Sequence, residues 1–270
     1  MIDRNQRRTR IPRKSRHRLA SAGAGVLLHL AVLAGLAGVS AQPARAIDRF
    51  PTDNGEITVR AVRQMSVVIE GPDGVIYTDP TGGGARYADH PAPDVILISH
   101  EHHGHYDART LQELVRPQTR VVVPPYVFDN LPEGLRGNAV SLANGESARL
   151  GTIEVEAIAA YGLRGEVRLW HPQGRGNGYV VTVDGRRIYV AGSTDATPEM
   201  LELRDIYLAF LPLYPPYALG PDDAILAAST LRPNFAYIYQ YNRIRTRDDF
   251  LGRGERELGD TIIIAPNIGP

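Results

Sequence analysis

The sequence predicts an α/β (α+β) fold in which two mixed β-sheets pack face to face, with helices on the outside. Two observations predict this architecture. The first half opens with apolar segments joined by short turns, which is typical of hairpins, and then alternates strands with helices. The second half repeats the same pattern. Two successive units of this kind favour two layered sheets with helices outside them.

The first half begins with three short strands and continues with a strand, a helix and a further strand. Pro72-Asp73-Gly74 supplies the turn between the second and third strands. The predicted elements are the strands EITVRAV, QMSVVIEG, VIYTDP and DVILIS, the helix ARTLQELV and the strand RVVVPP.

The second half begins with a strand and a hairpin about Asp184-Gly185, and then alternates helices with strands. Thr197 is the expected N-cap of the first helix, with Pro198 at its first position. The predicted elements are the strand TIEVEAIAA, the hairpin GYVVTVDGRRIYVAG, the helix TPEMLEL, the strand IYLAFLPL, the helix PDDAILAAST, the strand FAYIYQY, the helix TRDDFLGRGEREL and the strand TIIIAP.

The N-terminal segment 1–46 reads as a secretory signal peptide rather than as part of the fold. Eight basic residues precede an apolar run, and small residues at Ala44 and Ala46 frame a cleavage site. An uncleaved membrane anchor is the alternative, because the run approaches spanning length. We therefore expect an exported, periplasmic or secreted protein whose single domain is 47–270. A Sec signal is expected, and Arg7-Arg8 leaves twin-arginine export open.

Removal of that segment changes the charge of the chain. It holds nine of the 30 Lys and Arg residues and one of the 30 Asp and Glu residues, which leaves a formal charge of −8. Nucleic acid is therefore not an expected partner, and stable membrane insertion is not expected after cleavage. We expect a small-molecule substrate or ligand, while the oligomeric state stays open. The chain has no cysteine, so a zinc ion would need histidine or oxygen ligands.

The segment DVILISHEHHGHYD places four histidines within six positions, directly after an apolar strand. His100, His102 and His105 cannot share one helix face at this spacing, whereas on a loop they can converge on one cation. A solvated polar loop is the alternative. Because the chain holds only eight histidines, the occurrence of four of them in one short loop favours a metal site.

The sequence resembles the metallo-β-lactamase-fold hydrolases, in the branch of small zinc-dependent enzymes similar to the ascorbate-phosphate lactonases. The resemblance extends over residues 56–265 and implies a four-layer αββα sandwich with a metal site along one edge of the sheets. It rests on these segments: YTDP, ISHEHHGHYD, HPQGRGNGYVVTVDGRRIYVAGSTDATPEM, DIYLAFLPLYPPYALGPDDA and LRPNFAYIYQY.

Carried onto this chain, the resemblance implies a first metal position held by His100, His102 and His171, all of which are present. The second position is degraded. Gly104 replaces the loop aspartate, Ser193 replaces the bridging aspartate, and Gln240 replaces a late histidine. His105 is the surviving ligand of that second position, and no histidine follows His171 in the sequence.

Two carboxylates near the degraded position could compensate for the losses. Asp107 lies two residues after His105, and Asp195 lies two residues after Ser193. Each is equally open to a surface or capping role. No catalytic residue is assigned from the sequence, but Glu101 and His103 are candidates for the missing general base.

The expected function is hydrolysis of an ester, lactone, amide or phosphoester by zinc-bound water, with one zinc ion expected and a second not expected. The alternative is a member of the family that has lost catalysis and acts as a ligand- or partner-binding protein. Six aromatic residues near strand ends on the histidine side are candidates for the cleft: Tyr161, Trp170, Tyr214, Tyr217, Tyr239 and Tyr241.

Overall fold

In a computed structural model of the chain, residues 47–268 are described, and they form two seven-stranded β-sheets. The predicted signal segment 1–46 lies outside the described residues. The first sheet contains β1 (Asp48–Pro51), β2 (Glu56–Ala61), β3 (Val67–Gly71), β4 (Gly74–Thr78), β5 (Val95–Leu97), β6 (Arg120–Val123) and β7 (Ala139–Ser141). The second contains β8 (Ser147–Leu150), β9 (Ile153–Ala160), β10 (Gly176–Val183), β11 (Arg186–Val190), β12 (Ile206–Leu213), β13 (Phe235–Tyr241) and β14 (Ile262–Ile264).

Helices connect the strands and cover the outer faces. They are α1 (Ala108–Leu114), α2 (Pro125–Asp129), α3 (Glu133–Arg136), α4 (Gly165–Trp170), α5 (Pro198–Leu201), α6 (Pro221–Leu231) and α7 (Ile244–Glu257), with a 3-10 turn at Gly84–Tyr87. None of the helices in the described part of the chain is long and apolar enough to cross a bilayer.

The two sheets share one design. In the first, β1 to β4 pair antiparallel and β4 to β7 pair parallel, in sequence order. In the second, β8 to β11 pair antiparallel and β11 to β14 pair parallel. Parallel strands require crossover connections, which is why all the helices except α4 fall in the later part of each half. The predicted alternation is therefore confirmed.

The main hydrophobic core lies between the two sheets. Strand β2 shows why: its buried residues alternate with exposed or partly buried ones, so Ile57 and Val59 point inward. From the other sheet, Tyr179 and Phe210 belong to the same core. Separate apolar clusters lie under the outer helices, with Leu111 of α1 on the first sheet and members of α6 on the second. The predicted four-layer αββα sandwich is confirmed.

Local sequence signals explain how several elements begin. Thr197 caps α5, as predicted, because its side chain accepts a hydrogen bond from the Met200 amide at 3.2 Å. Several short elements were not predicted, among them β1, β7, β8, α2, α3 and α4. Each of these elements is three to six residues long. Their hydrophobic periodicity therefore covers too few positions to be recognised in the sequence.

Candidate metal centre

The four histidines of the HEHHGH segment follow β5, which lies between the parallel strands β4 and β6. The chain turns tightly here, with the His105 amide donating to the His102 carbonyl at 2.7 Å. The second sheet contributes residues to the same place from the end of α4, the turn after β11 and the end of β13. The site therefore lies where strand ends of both sheets meet.

His100, His102 and His171 form a compact group, called here the three-histidine cluster. The ring centroids of His100 and His102 are 4.7 Å apart, those of His100 and His171 are 4.9 Å apart, and those of His102 and His171 are 5.0 Å apart. One ring nitrogen from each residue lies within 4.8 Å of the other two. The folded chain thus brings together residues that are 71 positions apart in the sequence.

Hydrogen bonding leaves two nitrogens of the cluster without partners. The Oγ of Ser99 lies 2.9 Å from His100 Nδ1, which directs His100 Nε2 toward the cluster. His171 is fixed by its position as the C-cap of α4. His100 Nε2 and His171 Nδ1 are both buried and make no hydrogen bond within the described structure. Buried polar atoms are almost always satisfied, so two such atoms within one cluster of histidines fit a bound cation.

The protonation of the cluster also suits metal binding, because only a neutral imidazole has a free lone pair. Burial, together with the nearby His102 and His105 rings, lowers the pKa of His171 to about 3. Burial lowers the pKa of His100 well below its usual value, assisted by the neighbouring histidines. Burial also lowers the pKa of the more exposed His102. The three rings are therefore neutral at pH 7.

These pKa shifts make the metal-free protein sensitive to acid. An unfolded histidine takes up its proton near pH 6.5, whereas folded His171 does so only near pH 3. Within that window the unfolded state binds more protons, so stability should fall as the pH decreases through it. We expect urea unfolding of chelated protein to show this loss, by up to about 1.4 kcal/mol per pH unit from His171. His171→Gln should make the slope shallower, and an unchanged slope would contradict the assignment.

The position that the family resemblance assigns to a second metal ion is filled by hydrogen bonds. His105 Nδ1 lies 2.6 Å from Asp79 Oδ2, and His105 Nε2 lies 3.2 Å from Ser193 Oγ. Both nitrogens of His105 therefore have protein partners. Gly104 offers no ligand, and Gln240 offers only an amide. Within the described residues, the group of side chains placed to hold a metal ion is therefore the three-histidine cluster.

Asp107 is a helix cap. Its Oδ1 accepts hydrogen bonds from the amides of Arg109 and Thr110, and its Oδ2 accepts from the Thr110 hydroxyl and the Gly82 amide. These four contacts occupy the carboxylate and fix the start of α1. The structure therefore supports the capping role of Asp107. It does not support the suggestion that Asp107 compensates for the lost ligands.

We expect Asp107→Ala to destabilise the fold by about 1 to 2 kcal/mol, as loss of an N-cap does. The zinc content of the folded protein should not change. Urea unfolding and metal analysis of the same sample check both parts. A loss of zinc from a protein that is still folded would return Asp107 to the list of ligands.

Asp195 also has a structural role. It is buried, and its Oδ2 accepts a hydrogen bond from the Leu163 amide at 2.8 Å, which ties the turn after β11 to the loop before α4. The two general-base candidates do not lie on the cavity beside the cluster. His103 is exposed, and Glu101 is paired with Arg175 at 2.7 Å. Glu101 also lies 3.9 Å from the Nε2 of His102. Neither candidate lines the cavity, and the role of either as a general base stays a prediction.

A cavity of about 310 Å³ opens beside the three-histidine cluster. Of the six aromatic candidates, Trp170, Tyr214 and Tyr217 line it. Tyr161, Tyr239 and Tyr241 are buried elsewhere in the fold. The cavity therefore combines an apolar wall with a polar floor, which is typical of small-molecule sites. Its lining consists of Met65, His100, His102, Gly104, His105, Trp170, His171, Ser193, Tyr214, Tyr217 and Gln240.

Sequence reasoning did not single out three residues of the site, namely Ser99, Met65 and, above all, Asp79. Asp79 follows β4, its φ angle is +39°, and its carboxylate contacts both Ser99 and His105. A signal for it existed, because Asp79 ends a predicted strand immediately before the strand that leads to the histidines. Neighbouring parallel strands bring such ends together at one edge.

Comparison with known proteins agrees with this fold and site. A family model described as a beta-lactamase superfamily domain matches residues 58–238. The chain is 29% identical over 168 residues to a UPF0173 metal-dependent hydrolase of Bacillus pumilus, which covers 58% of this chain and 73% of that protein. It is also 29% identical over 187 residues to a relative of the same description from a Geobacillus strain, covering 65% of this chain and 81% of that protein.

Solved structures show the same architecture. A proposed metal-dependent hydrolase from Parabacteroides distasonis superposes with a TM-score of 0.73 at 27% identity, covering 83% of this chain and all of that one. A metallo-hydrolase from Ignicoccus hospitalis has a TM-score of 0.62 at 18% identity, over 78% of this chain and 95% of that one, and supports the fold alone. The chain belongs to the metallo-β-lactamase-fold hydrolase family.

Proposed function

We propose that the protein is an exported hydrolase that works with one zinc ion bound by the three-histidine cluster. The observation that carries this proposal is the pair of buried, unpartnered nitrogens, His100 Nε2 and His171 Nδ1, in a cluster whose three rings each bring one nitrogen within 4.8 Å of the others. Relatives described as metal-dependent hydrolases support the same reaction class. Histidine ligands with one open position are typical of catalytic zinc.

The chain's own residues prepare this centre in two ways. Ser99 fixes the orientation of the His100 ring through the 2.9 Å contact, and α4 fixes His171 at its C-terminal end. Burial keeps both rings neutral and therefore able to bind a cation. A zinc ion held there would polarise a substrate oxygen and lower the pKa of a water molecule.

The cavity suggests the kind of substrate. Its volume of about 310 Å³ is near the lower end for small-molecule sites, and Trp170, Tyr214 and Tyr217 give it an aromatic wall. Such a site suits a compact ester, lactone, amide or phosphoester with an apolar part. Trp170 packs edge-on against His102, with ring centroids 5.8 Å apart, so the bound apolar part would lie close to the cluster.

Metal analysis of protein purified without a histidine tag and without added zinc tests the proposal. We expect about one zinc ion per chain, and hydrolysis in a screen of esters, lactones, amides and phosphoesters. The intact mass of the same sample should show loss of segment 1–46. Protein that retains no metal would favour the alternative, a family member that has lost catalysis and binds a ligand in the cavity.

A further inference from the structure

Asp79, His105 and Ser193 form a continuous hydrogen-bonded row, called here the Asp79–His105–Ser193 array. The distances are 2.6 Å from Asp79 Oδ2 to His105 Nδ1 and 3.2 Å from His105 Nε2 to Ser193 Oγ. The exposed fractions of the three residues are only 2%, 4% and 6% in that order. Both distances fall in the range of about 2.6 to 3.2 Å that joins a nucleophile, its base and an orienting group.

The surroundings of Asp79 determine where the protons lie. Asp79 Oδ1 accepts from the Ser99 amide, and Oδ2 accepts from the Ser99 hydroxyl, each at 2.7 Å. Because Asp79 Oδ2 acts as an acceptor, the hydrogen bond between it and His105 requires His105 Nδ1 to be the donor. His105 Nε2 then carries the free lone pair, and the hydroxyl of Ser193 donates to it. This is the arrangement in which histidine can remove a proton from serine.

The array opens onto the cavity beside the metal centre. His105 and Ser193 both line that cavity, together with the three-histidine cluster. Gln240 lines it too, and its carboxamide oxygen is buried without a hydrogen-bond partner in the described structure. The carboxamide oxygen of Gln240 is therefore available to accept a hydrogen bond from a bound substrate. A molecule in the cavity would thus meet the serine hydroxyl as well as the cluster.

We propose that Ser193 is a nucleophile, that His105 is its general base, and that Asp79 is the residue that positions His105. This deepens the proposed hydrolase function by naming carboxylic esters and lactones as the substrate class. Ser193 Oγ would attack the carbonyl carbon while its proton passes to His105 Nε2. The carbon–oxygen bond to the leaving alcohol then breaks, and that alcohol takes the proton from His105, which leaves an acyl-serine.

Water completes the cycle. His105 Nε2 removes a proton from a water molecule as its oxygen attacks the acyl carbon. The bond from that carbon to Ser193 Oγ breaks, and His105 returns the proton to the serine. The cycle yields the alcohol and the carboxylic acid, and it regenerates the Ser193 hydroxyl. Water is the only reactant besides the ester, and no oxidant is needed.

Reaction with a fluorophosphonate ester tests the proposal, because such probes mark activated serines covalently. The purified chain is treated both as isolated and after chelation, and adducts are located by intact mass and peptide mapping. We expect one adduct, on Ser193, that is absent in Ser193→Ala. His105→Gln should slow labelling by about 100-fold or more. Ser229→Ala, which changes an exposed serine on α6, is the matched control and should label normally.

Asp79 needs a measurement that reports positioning. Histidine nitrogen NMR spectra should show His105 as the Nδ1–H tautomer, and Asp79→Asn should remove that signature. Asparagine cannot accept with both side-chain atoms, so it cannot satisfy the Ser99 amide and His105 together. An Nε2–H tautomer for His105 in the unaltered protein would overturn the proton assignment, as would an adduct on a residue other than Ser193.

Zinc analysis of the same samples separates the two proposals. Absence of any Ser193 adduct, or equal labelling of the unaltered protein and His105→Gln, would overturn the nucleophile proposal. If a protein without a Ser193 adduct still held one zinc ion and hydrolysed substrates, the proposed zinc hydrolase function would stand and only the nucleophile proposal would be rejected. Labelling of Ser193 in protein that retains no zinc would support the nucleophile and reject the single-zinc function.

Discussion

Replacing His171 with alanine is expected to abolish zinc retention and to lower hydrolysis by at least about 100-fold, since loss of even an indirect contact to a metal ligand costs 10- to 100-fold. His171 supplies the contribution of the second sheet to the three-histidine cluster. Without it, His100 and His102 remain on one loop and provide two ligands, too few for a closed zinc site. Metal analysis and substrate turnover of the variant measure both effects.

His103→Ala is the matched control for this experiment. It removes an imidazole from the same histidine-rich region, but His103 is exposed and does not line the cavity. We expect zinc content and turnover to stay unchanged. Equal losses in both variants would show that a surface histidine tract binds the metal, and retention of zinc by a folded His171→Ala protein would remove His171 from the ligand set.

The triple variant Gly104→Asp, Ser193→Asp, Gln240→His is expected to gain one zinc ion per chain. It restores the two carboxylates and the histidine that the family resemblance places around the second position. In the proposed array His105 carries its proton on Nδ1, so replacement of Ser193 would release Nε2 to bind the ion. Two added negative charges would offset the charge of a second cation. The gain is read from metal analysis of the purified protein.

The structure can accommodate a side chain at position 104. A Cβ at Gly104 would lie 3.0 Å from the Cε of Met65, which is the flexible end of a side chain and can move aside. The variant Gly104→Asn, Ser193→Asn provides side chains of the same size without charge and should gain no zinc. If the triple variant folds and still binds at most one ion, then the positions carried over from the family are wrong. It should also lose fluorophosphonate labelling, because it has no Ser193.

The sequence predicted the fold well because hydrophobic periodicity is a local property. Strands such as β9 and β12 have eight residues each, enough for their buried pattern to be recognised. The ligands His100 and His102 were also visible, because they lie on one loop after a buried strand. His171 needed the family resemblance, since it lies 69 positions further along and no local pattern links it to the loop.

The roles of the carboxylates could not be read from spacing. Asp107 and Asp195 lie close to site residues in the sequence, yet both carboxylates accept backbone hydrogen bonds away from the cavity. Asp79 is 26 positions from His105 and contacts it directly. A short distance along the chain does not fix the direction of a side chain. The parallel pairing of β4 with β5 does place the residues after these strands, Asp79 and His105, side by side.

The sequence by itself determined the two-sheet architecture and the histidine loop, while the family resemblance supplied the three positions at which ligands of a second metal are expected to be replaced. Only the tertiary structure decided what replaced that site. Ser193 and His105 come from different sheets, and their contact at 3.2 Å exists because strand ends of both sheets meet at one edge. A hydrogen bond needs two atoms about 3 Å apart in space, and that distance is set by packing rather than by local sequence.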